Sequence, residues 1–234
     1  MNPLVSVIIP TYNRFDIVKK TIESVKHQTY KNIEIIVVND CSTEKEYYSH
    51  KWDIKIIHLP ENSRKKFTYP CAGYVRDQGV KQSKGEYIAF LDDDDYWLPH
   101  KVEKQVKALR EYDICCTEAL CGRGTYEERI EKRMMLQDYH FKYIWEKYMK
   151  NGVDISNGFP EKWGEQFIRI HNCIITSSVM IKKKIIDKYG MMPYLKNGKE
   201  DYNYWKHLLK YMKCYFISEP CLYYDLGHGK GREY

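Results

Sequence analysis

The stretch Lys84-Gly85-Glu86-Tyr87-Ile88-Ala89-Phe90-Leu91-Asp92-Asp93-Asp94-Asp95 decides how the rest of the chain is read. From Tyr87 to Leu91 it is apolar or aromatic without a break. A strand of that pattern is apolar on both faces and belongs in the centre of a layered sheet. Four carboxylates follow at once. They form either a solvated turn or a site. Carboxylates crowded at a strand end repel one another. A hard divalent cation with oxygen ligands, Mn²⁺ or Mg²⁺, relieves that repulsion. Residues two apart in extended backbone point to one side, so Asp92 and Asp94 can share a site while Asp93 turns elsewhere. Position and composition agree on the metal reading.

Working outward, Leu4 to Ile9 is a β-branched run ended by Pro10, the pattern of a buried first strand. Val18, Ile22 and Val25 have helical spacing. Ile33 to Val38 is a second apolar strand ending at Asn39-Asp40, and Ile54 to Leu59 a third ending at Pro60. Residues 60–71 read as a loop. Ala72 to Ser83 reads as a helix, with Gly85 beyond it as a stop. Strands alternating with helices predict an α/β, largely parallel sheet flanked by helices. Ligands bind such sheets beyond the carboxyl ends of the strands. Those ends are Pro10-Thr11-Tyr12-Asn13, Asn39-Asp40 and Asp92 to Asp95, so three polar clusters converge on one edge. Asp40 either caps a helix or accepts a hydrogen bond from a nucleobase imide or a ribose hydroxyl. Tyr12 is either core or a surface on which a base stacks.

The second half is less regular. Val102 to Leu109 predicts a helix, Asp113 to Cys116 a short strand, and Tyr139, Tyr143 and Met149 hint at another helix. Gly152 to Trp163 reads as loop and Cys173 to Ile181 as strand. A loop from Pro193 to Lys199 leads to Glu200-Asp201, which either cap the following helix or act in chemistry. That helix carries Trp205, Leu208, Leu209 and Met212. Cys214 to Ile217 and Leu222 to Tyr224 predict two short strands, and the tail from Gly227 a mobile end.

Composition narrows the class. The 234 residues are 43% apolar and 30% charged, which excludes a fibrous or wholly disordered chain. No run approaches the roughly 20 apolar residues of a membrane span, and the N-terminus lacks the pattern of a secretory signal. Lysine and arginine exceed aspartate and glutamate by 38 − 32 = 6. The clusters Arg64-Lys65-Lys66 and Lys182-Lys183-Lys184 carry no nucleic-acid motif, so they read as solvated surface, with no nucleic-acid partner. Contact with anionic phosphates or a lipid surface stays open. Eight cysteines lack metal or redox spacing and read as reduced thiols in a cytoplasmic protein. The 22 tyrosines suit a stacking surface or reflect a compositional bias.

Together these residues resemble family-two inverting glycosyltransferases of the GT-A fold. The resemblance rests on Val5 to Arg14, Val38-Asn39-Asp40, Arg76-Asp77-Gln78-Gly79, Lys84 to Asp95, and Glu200-Asp201-Tyr202 with Trp205. It is strong over the first hundred residues and moderate over 171–226; residues 115–170 match nothing. It implies a single domain of two abutting halves, with residues 1–98 binding nucleotide sugar and metal, and 99–234 binding acceptor and carrying the base. It implies that Pro10, Thr11, Tyr12, Arg14, Asp40 and Arg76 bind the donor nucleotide, with Asp92 on the ribose side and Asp93 also among the donor-binding residues. Asp94 and His228 would meet a Mn²⁺ or Mg²⁺ ion, and Asp201 would be the general base. Glu200 and Trp205 would lie on the acceptor side.

The implied donor is a nucleotide sugar, a uridine one for preference. The implied acceptor is a hydroxyl of a glycan, a lipid-linked molecule or another compound, met in the cytoplasm or at the cytoplasmic membrane surface. Two departures stand out. Asp225 occupies the likely position of an arginine that often precedes the tail histidine, which leaves His228 either a contact or a surface residue. Asp77 follows Arg76 where asparagine is common, adding negative charge near the donor. The alternatives are a non-catalytic sugar-nucleotide-binding module, a sugar-nucleotidyltransferase and a phosphatase. The nucleotidyltransferase needs a glycine-rich loop that Pro10 to Arg14 lacks. The phosphatase needs its nucleophile after the first strand, not the fourth.

Overall fold

In the computed structural model, which describes residues 2–127, 129, 131–196 and 198–227, ten strands form one sheet. They are β1 (Val5–Thr11), β2 (Ile33–Asn39), β3 (Lys55–His58), β4 (Tyr87–Phe90), β5 (Tyr96–Trp97), β6 (Ile114–Gly122), β7 (Arg133–Met134), β8 (Lys162–Trp163), β9 (Met180–Lys182) and β10 (Cys214–Asp225). The order is β3-β2-β1-β4-β9-β6-β10-β5, with β7 on β6 and β8 on β10. The three pairings among β3, β2, β1 and β4 are parallel, as the alternating pattern predicts, and so is β6 with β10. The sheet as a whole is mixed, because β9 runs antiparallel between β4 and β6. The chain enters β9 from the 3₁₀ turn Thr176–Ser178 and runs antiparallel to β4.

The faces of β1 alternate with the two-residue period of a strand. Ile8 joins Ile36, Val38, Ile88 and Phe90 in one buried layer; Val7 and Ile9 join Val37 and Ala89 in the other. Helices Ala72–Lys81 and Glu200–Leu208 cover the first layer, and Phe15–Lys26 and Lys101–Ala108 the second. A Cβ on Gly79 would lie 2.6 Å from Cγ2 of Ile8. Glycine there lets helix Ala72–Lys81 settle directly on the sheet and brings Arg76 to the strand ends.

Several elements differ from the sequence reading. The expected strand from Cys173 to Ile181 is short, and Thr176–Ser178 form a 3₁₀ turn instead. Ser178 Oγ donates to the local Ile175 carbonyl at 2.6 Å, which competes with a sheet ladder. The two expected strands near the C-terminus are one, Cys214–Asp225, with register irregularities between Ile217 and Leu222. Pro220 sits there and has no N–H to donate. The strand begun at Ile114 runs on to Gly122. The expected loop 60–71 holds a short helix, Ser63–Phe67, and a π turn precedes helix Phe141–Lys150. Among the described residues no helix is long and apolar enough to cross a membrane.

Candidate active site

The carboxyl ends of β1, β2 and β4 meet in one cleft of about 540 Å³. Pro10, Thr11, Tyr12, Arg14, Asp40, Arg76, Asp92, Asp93, Asp94 and Glu200 all line it. Local backbone builds its rim. Asn13 and Cys41 adopt left-handed φ of 49° and 57° just past β1 and β2. The Asn13 side chain bridges the two turns, accepting from the Thr43 N–H at 2.7 Å, while the Asn13 N–H donates to Ser42 Oγ at 2.8 Å. Asparagine tolerates this conformation because its short amide bonds nearby backbone. Thr11 shares a 2.6 Å hydrogen bond with Tyr47, a buried tyrosine outside the expected set.

Asp40 is buried and its oxygens are engaged. Oδ1 accepts from the Ser63 N–H at 2.7 Å, and Oδ2 from Ser63 Oγ at 2.6 Å and Asn62 Nδ2 at 3.2 Å. It therefore fixes the start of helix Ser63–Phe67 while lining the cleft. Burial raises its pKa, and the Ser63 bonds oppose the rise.

The tetrad divides by direction. Asp92 stays part-exposed and pairs with Arg76 Nη2. Asp93 is buried and pairs with Arg14 Nη1 at 2.9 Å; Asp94 pairs with the same nitrogen at 3.0 Å. Burial pushes the Asp93 carboxyl up against the pull of Arg14. Asp95 is buried deepest, where burial and then the neighbouring Asp94 and Asp92 push it well above the carboxylate range. Two arginines thus hold three of the four carboxylates, and unlike charges so arranged offset the repulsion foreseen from sequence.

Arg76 ties this cluster to Glu200, which lines the cleft, and to the neighbouring Asp201, which is not among the residues lining it. Burial alone would lower its pKa; Asp92, then Asp201 and Glu200, more than reverse that effect. Asp201 Oδ2 accepts from Thr176 Oγ1 at 2.9 Å, and Oδ1 from the Tyr202 N–H at 2.6 Å. Glu200 is buried, with Oε2 lacking a hydrogen-bond partner among the described residues. Its Cγ would be 3.3 Å from a Cβ on Gly73, so the glycine makes room for it.

The donor set suits a hard cation in one specific way. Asp92 and Asp94 offer oxygen ligands on the cleft wall, yet the described residues contain no group of three acidic, histidine or cysteine side chains that could cage an ion. Mg²⁺ and its like are commonly held by one or two carboxylates completed by substrate phosphates and water. The residues fit an ion that arrives with a diphosphate.

Other expectations resolve differently. Trp205 is wholly buried and packs on Phe90, ring centroids 6.1 Å apart, so it supports the acidic pair from the core and does not reach an acceptor. His228 lies outside the described residues, as does most of the tail from Gly227. Asp225 is buried. Its Oδ1 accepts from the N–H groups of Gly124 at 2.8 Å and Gly227 at 2.6 Å, so it organises the turn that leaves β10. Asp77 does not line the cleft; Lys81 pairs with it at 2.8 Å and the Tyr194 hydroxyl donates to it. Thr176 and Ser177 escaped the sequence reading. The one signal was three hydroxyl residues interrupting the apolar run Cys173 to Met180.

The model of the family described as glycosyl transferase family 2 matches residues 6–187. An uncharacterized glycosyltransferase of Rickettsia typhi is 33% identical over 93% of this chain and 62% of its own length. The chain thus spans about 60% of that relative. A second relative, the UDP-Glc:alpha-D-GlcNAc-diphosphoundecaprenol beta-1,3-glucosyltransferase WfaP of Escherichia coli, is 33% identical over 88% of this chain and 70% of its own. Among solved structures, S. aureus TarS 1-349 in complex with UDP superposes with a TM-score of 0.65. It is 19% identical and covers 95% of this chain and 60% of the other. At that identity the likeness concerns the fold.

Proposed function

The chain belongs to glycosyl transferase family 2, and on that premise we propose that it moves a sugar from a nucleotide-sugar donor to an acceptor hydroxyl with inversion at the anomeric carbon. Arg76 carries this reading. One buried guanidinium, paired with Asp92 and within the field of Asp201 and Glu200, couples a donor-side carboxylate to a candidate base across a single cleft.

In the reaction, the acceptor oxygen attacks the anomeric carbon from the face opposite the diphosphate. The new carbon–oxygen bond forms as the bond to the phosphate oxygen breaks, and the nucleoside diphosphate leaves with that electron pair. Asp201 takes the acceptor's proton as general base. Its two hydrogen bonds hold it at the head of helix Glu200–Leu208. Thr11, Tyr12 and Asp40 frame the nucleoside, with Asp92 toward the ribose. Residues 1–98 make the donor half and 99–234 the acceptor half. Asp94, with Asp92 beside it, would hold a Mn²⁺ or Mg²⁺ ion. When bound, the ion supplies positive charge that stabilises the departing diphosphate.

The name of WfaP specifies UDP-glucose and a lipid-linked acceptor, which supports a uridine donor and an acceptor at a membrane surface. The test is a thermal-shift series with UDP, GDP and UDP-glucose, with and without Mn²⁺, in wild type and Asp94→Ala. A ligand specific to the folded state raises Tm. UDP with Mn²⁺ is expected to raise it, and Asp94→Ala to lose the metal-dependent part. No shift with any nucleoside diphosphate in either metal condition overturns the reading.

A further inference from the structure

The turn Thr176–Ser178 joins the two walls of the cleft. From Thr176, the hydroxyl donates to Asp201 Oδ2 at 2.9 Å. From Ser177, Oγ accepts the backbone N–H of Asp92 at 3.0 Å. Adjacent side chains of one short turn thus hold the candidate base and the first residue of the acidic tetrad. The turn itself is anchored from the far side. The Ser177 carbonyl accepts from Trp97 Nε1 at 2.9 Å, and the Ser178 carbonyl from Gln105 Nε2 at 2.7 Å. All three residues are buried, Ser177 and Ser178 completely. Three hydroxyl residues are thereby placed in an otherwise apolar layer, where each polar group must find a partner.

Resting on the transferase reading above, we propose that Thr176 and Ser177 are positioning residues that set the base and the donor carboxylates in register. Neither touches the reacting atoms. Thr176 fixes which way the Asp201 carboxylate faces. Ser177 fixes the backbone from which Asp92 projects toward Arg76. A base or a donor contact displaced by a fraction of an ångström loses much of its rate advantage. The two residues act on different partners, so their loss should appear in different kinetic parameters.

The experiment compares Thr176→Val, Thr176→Ser and Ser177→Ala with wild type. Turnover is read as UDP released from UDP-glucose with water as the acceptor, in Mn²⁺, and UDP affinity by calorimetry. A hydrogen bond to a charged group sets the scale for Thr176 at about tenfold to a hundredfold. Thr176→Val is expected to lower kcat by that factor with UDP affinity within about twofold of wild type. Thr176→Ser, which keeps the hydroxyl, is expected to restore most of it. Ser177→Ala is expected to weaken UDP binding and raise KM about threefold to tenfold, with the smaller effect on kcat.

Unchanged kcat in Thr176→Val, in a wild type that turns over and an Asp201→Asn variant that does not, overturns the positioning role and leaves the transferase reading intact. Equal losses of kcat and affinity in both Thr176→Val and Ser177→Ala, without rescue by Thr176→Ser, also overturn it, because a merely structural turn behaves that way. A wild type that releases no UDP and binds none overturns the transferase reading and this inference with it.

Discussion

The two walls of the cleft handle charge in opposite ways. On the donor wall, Asp92, Asp93 and Asp94 each pair with an arginine, and the buried Asp93 shares Arg14 with Asp94. On the base wall, Asp201 takes its hydrogen bonds from a hydroxyl and from a backbone amide of its own helix, with Arg76 acting on it through its field. Arg14 pulls Asp93 toward its charged form, while burial pushes it the other way more strongly. Asp201 is oriented by neutral donors instead. The difference is one of partners: arginines for the acids after β4, a hydroxyl and a backbone amide for Asp201.

Four measurements would sharpen or break that contrast. The largest effect is expected at Asp201. Asp201→Asn keeps the shape and removes the basicity, and general base catalysis contributes about 10²–10⁴-fold. Turnover should fall by at least the lower figure, with calorimetric UDP affinity nearly unchanged. Near-normal turnover would place the base elsewhere and erase the difference between the walls.

Next is Arg14. Breaking a buried ion pair by removing one partner costs about 3–5 kcal/mol, because a buried charge is left uncompensated. Arg14→Met should lower stability in urea on that scale, while Lys65→Met, at a pair that is largely exposed, should change it by less than about 1 kcal/mol. Equal effects would mean that Arg14 does not hold the tetrad.

A smaller effect is expected at Asp40. Asp40→Ala removes both a cleft acceptor and the bonds that anchor Ser63, the first residue of the helix that Asn62 caps. Loss of a buried hydrogen bond is worth about 1–3 kcal/mol. UDP affinity should drop accordingly, by more than threefold, with stability falling about 1 kcal/mol. A fall in stability with unchanged affinity would make Asp40 an anchor of Ser63 alone.

The smallest is a control on buried charge away from the cleft. Lys101 is wholly buried, with Nζ 2.6 Å from Gln105 Oε1 and 3.8 Å from the centre of the Trp97 ring. Burial lowers its pKa to about 7 from the ordinary value of 10.5. Between those values the unfolded chain binds more protons than the folded one, so this group's contribution to stability rises with pH. Tm should therefore gain a few degrees from Lys101 between pH 7 and pH 9, and Lys101→Met should remove that gain. An identical pH response in the variant would mean that Lys101 keeps its proton as firmly as the arginines of the cleft do.

Legibility differs sharply along the chain. From Val5 to Asp95 each strand is a short β-branched or apolar run closed by a polar cluster, so local pattern alone locates the strand ends. Asp40 and Asp92 to Asp94 follow from that pattern, Arg76 from the family resemblance, and all of them line the cleft. Between Cys173 and Met180 the same logic misfired. The run looks like a strand, but Ser178 bonds local backbone, Thr176 and Ser177 bond Asp201 and Asp92, and the chain turns. In β10 it misfired the other way: the register irregularity around Pro220 looks like a gap between two strands, although the pairing with β6 continues on both sides. The acceptor-side placing of Trp205 came from the resemblance, whereas its helical spacing with Leu208 and Leu209 agrees with the buried position it takes.

Strands β1 to β4 and the row of acids at their carboxyl ends are legible from local spacing, because strand periodicity and the placing of sites beyond strand ends are rules of that kind. Only the tertiary structure decided how those acids are partnered. Arg76 reaches Asp92 because Gly79 lets its helix lie close on Ile8. Thr176 reaches Asp201 because an antiparallel strand brings its turn to the cleft edge. Such pairings depend on how separate elements pack. No periodicity within one element encodes them, so they appear only when the chain is folded.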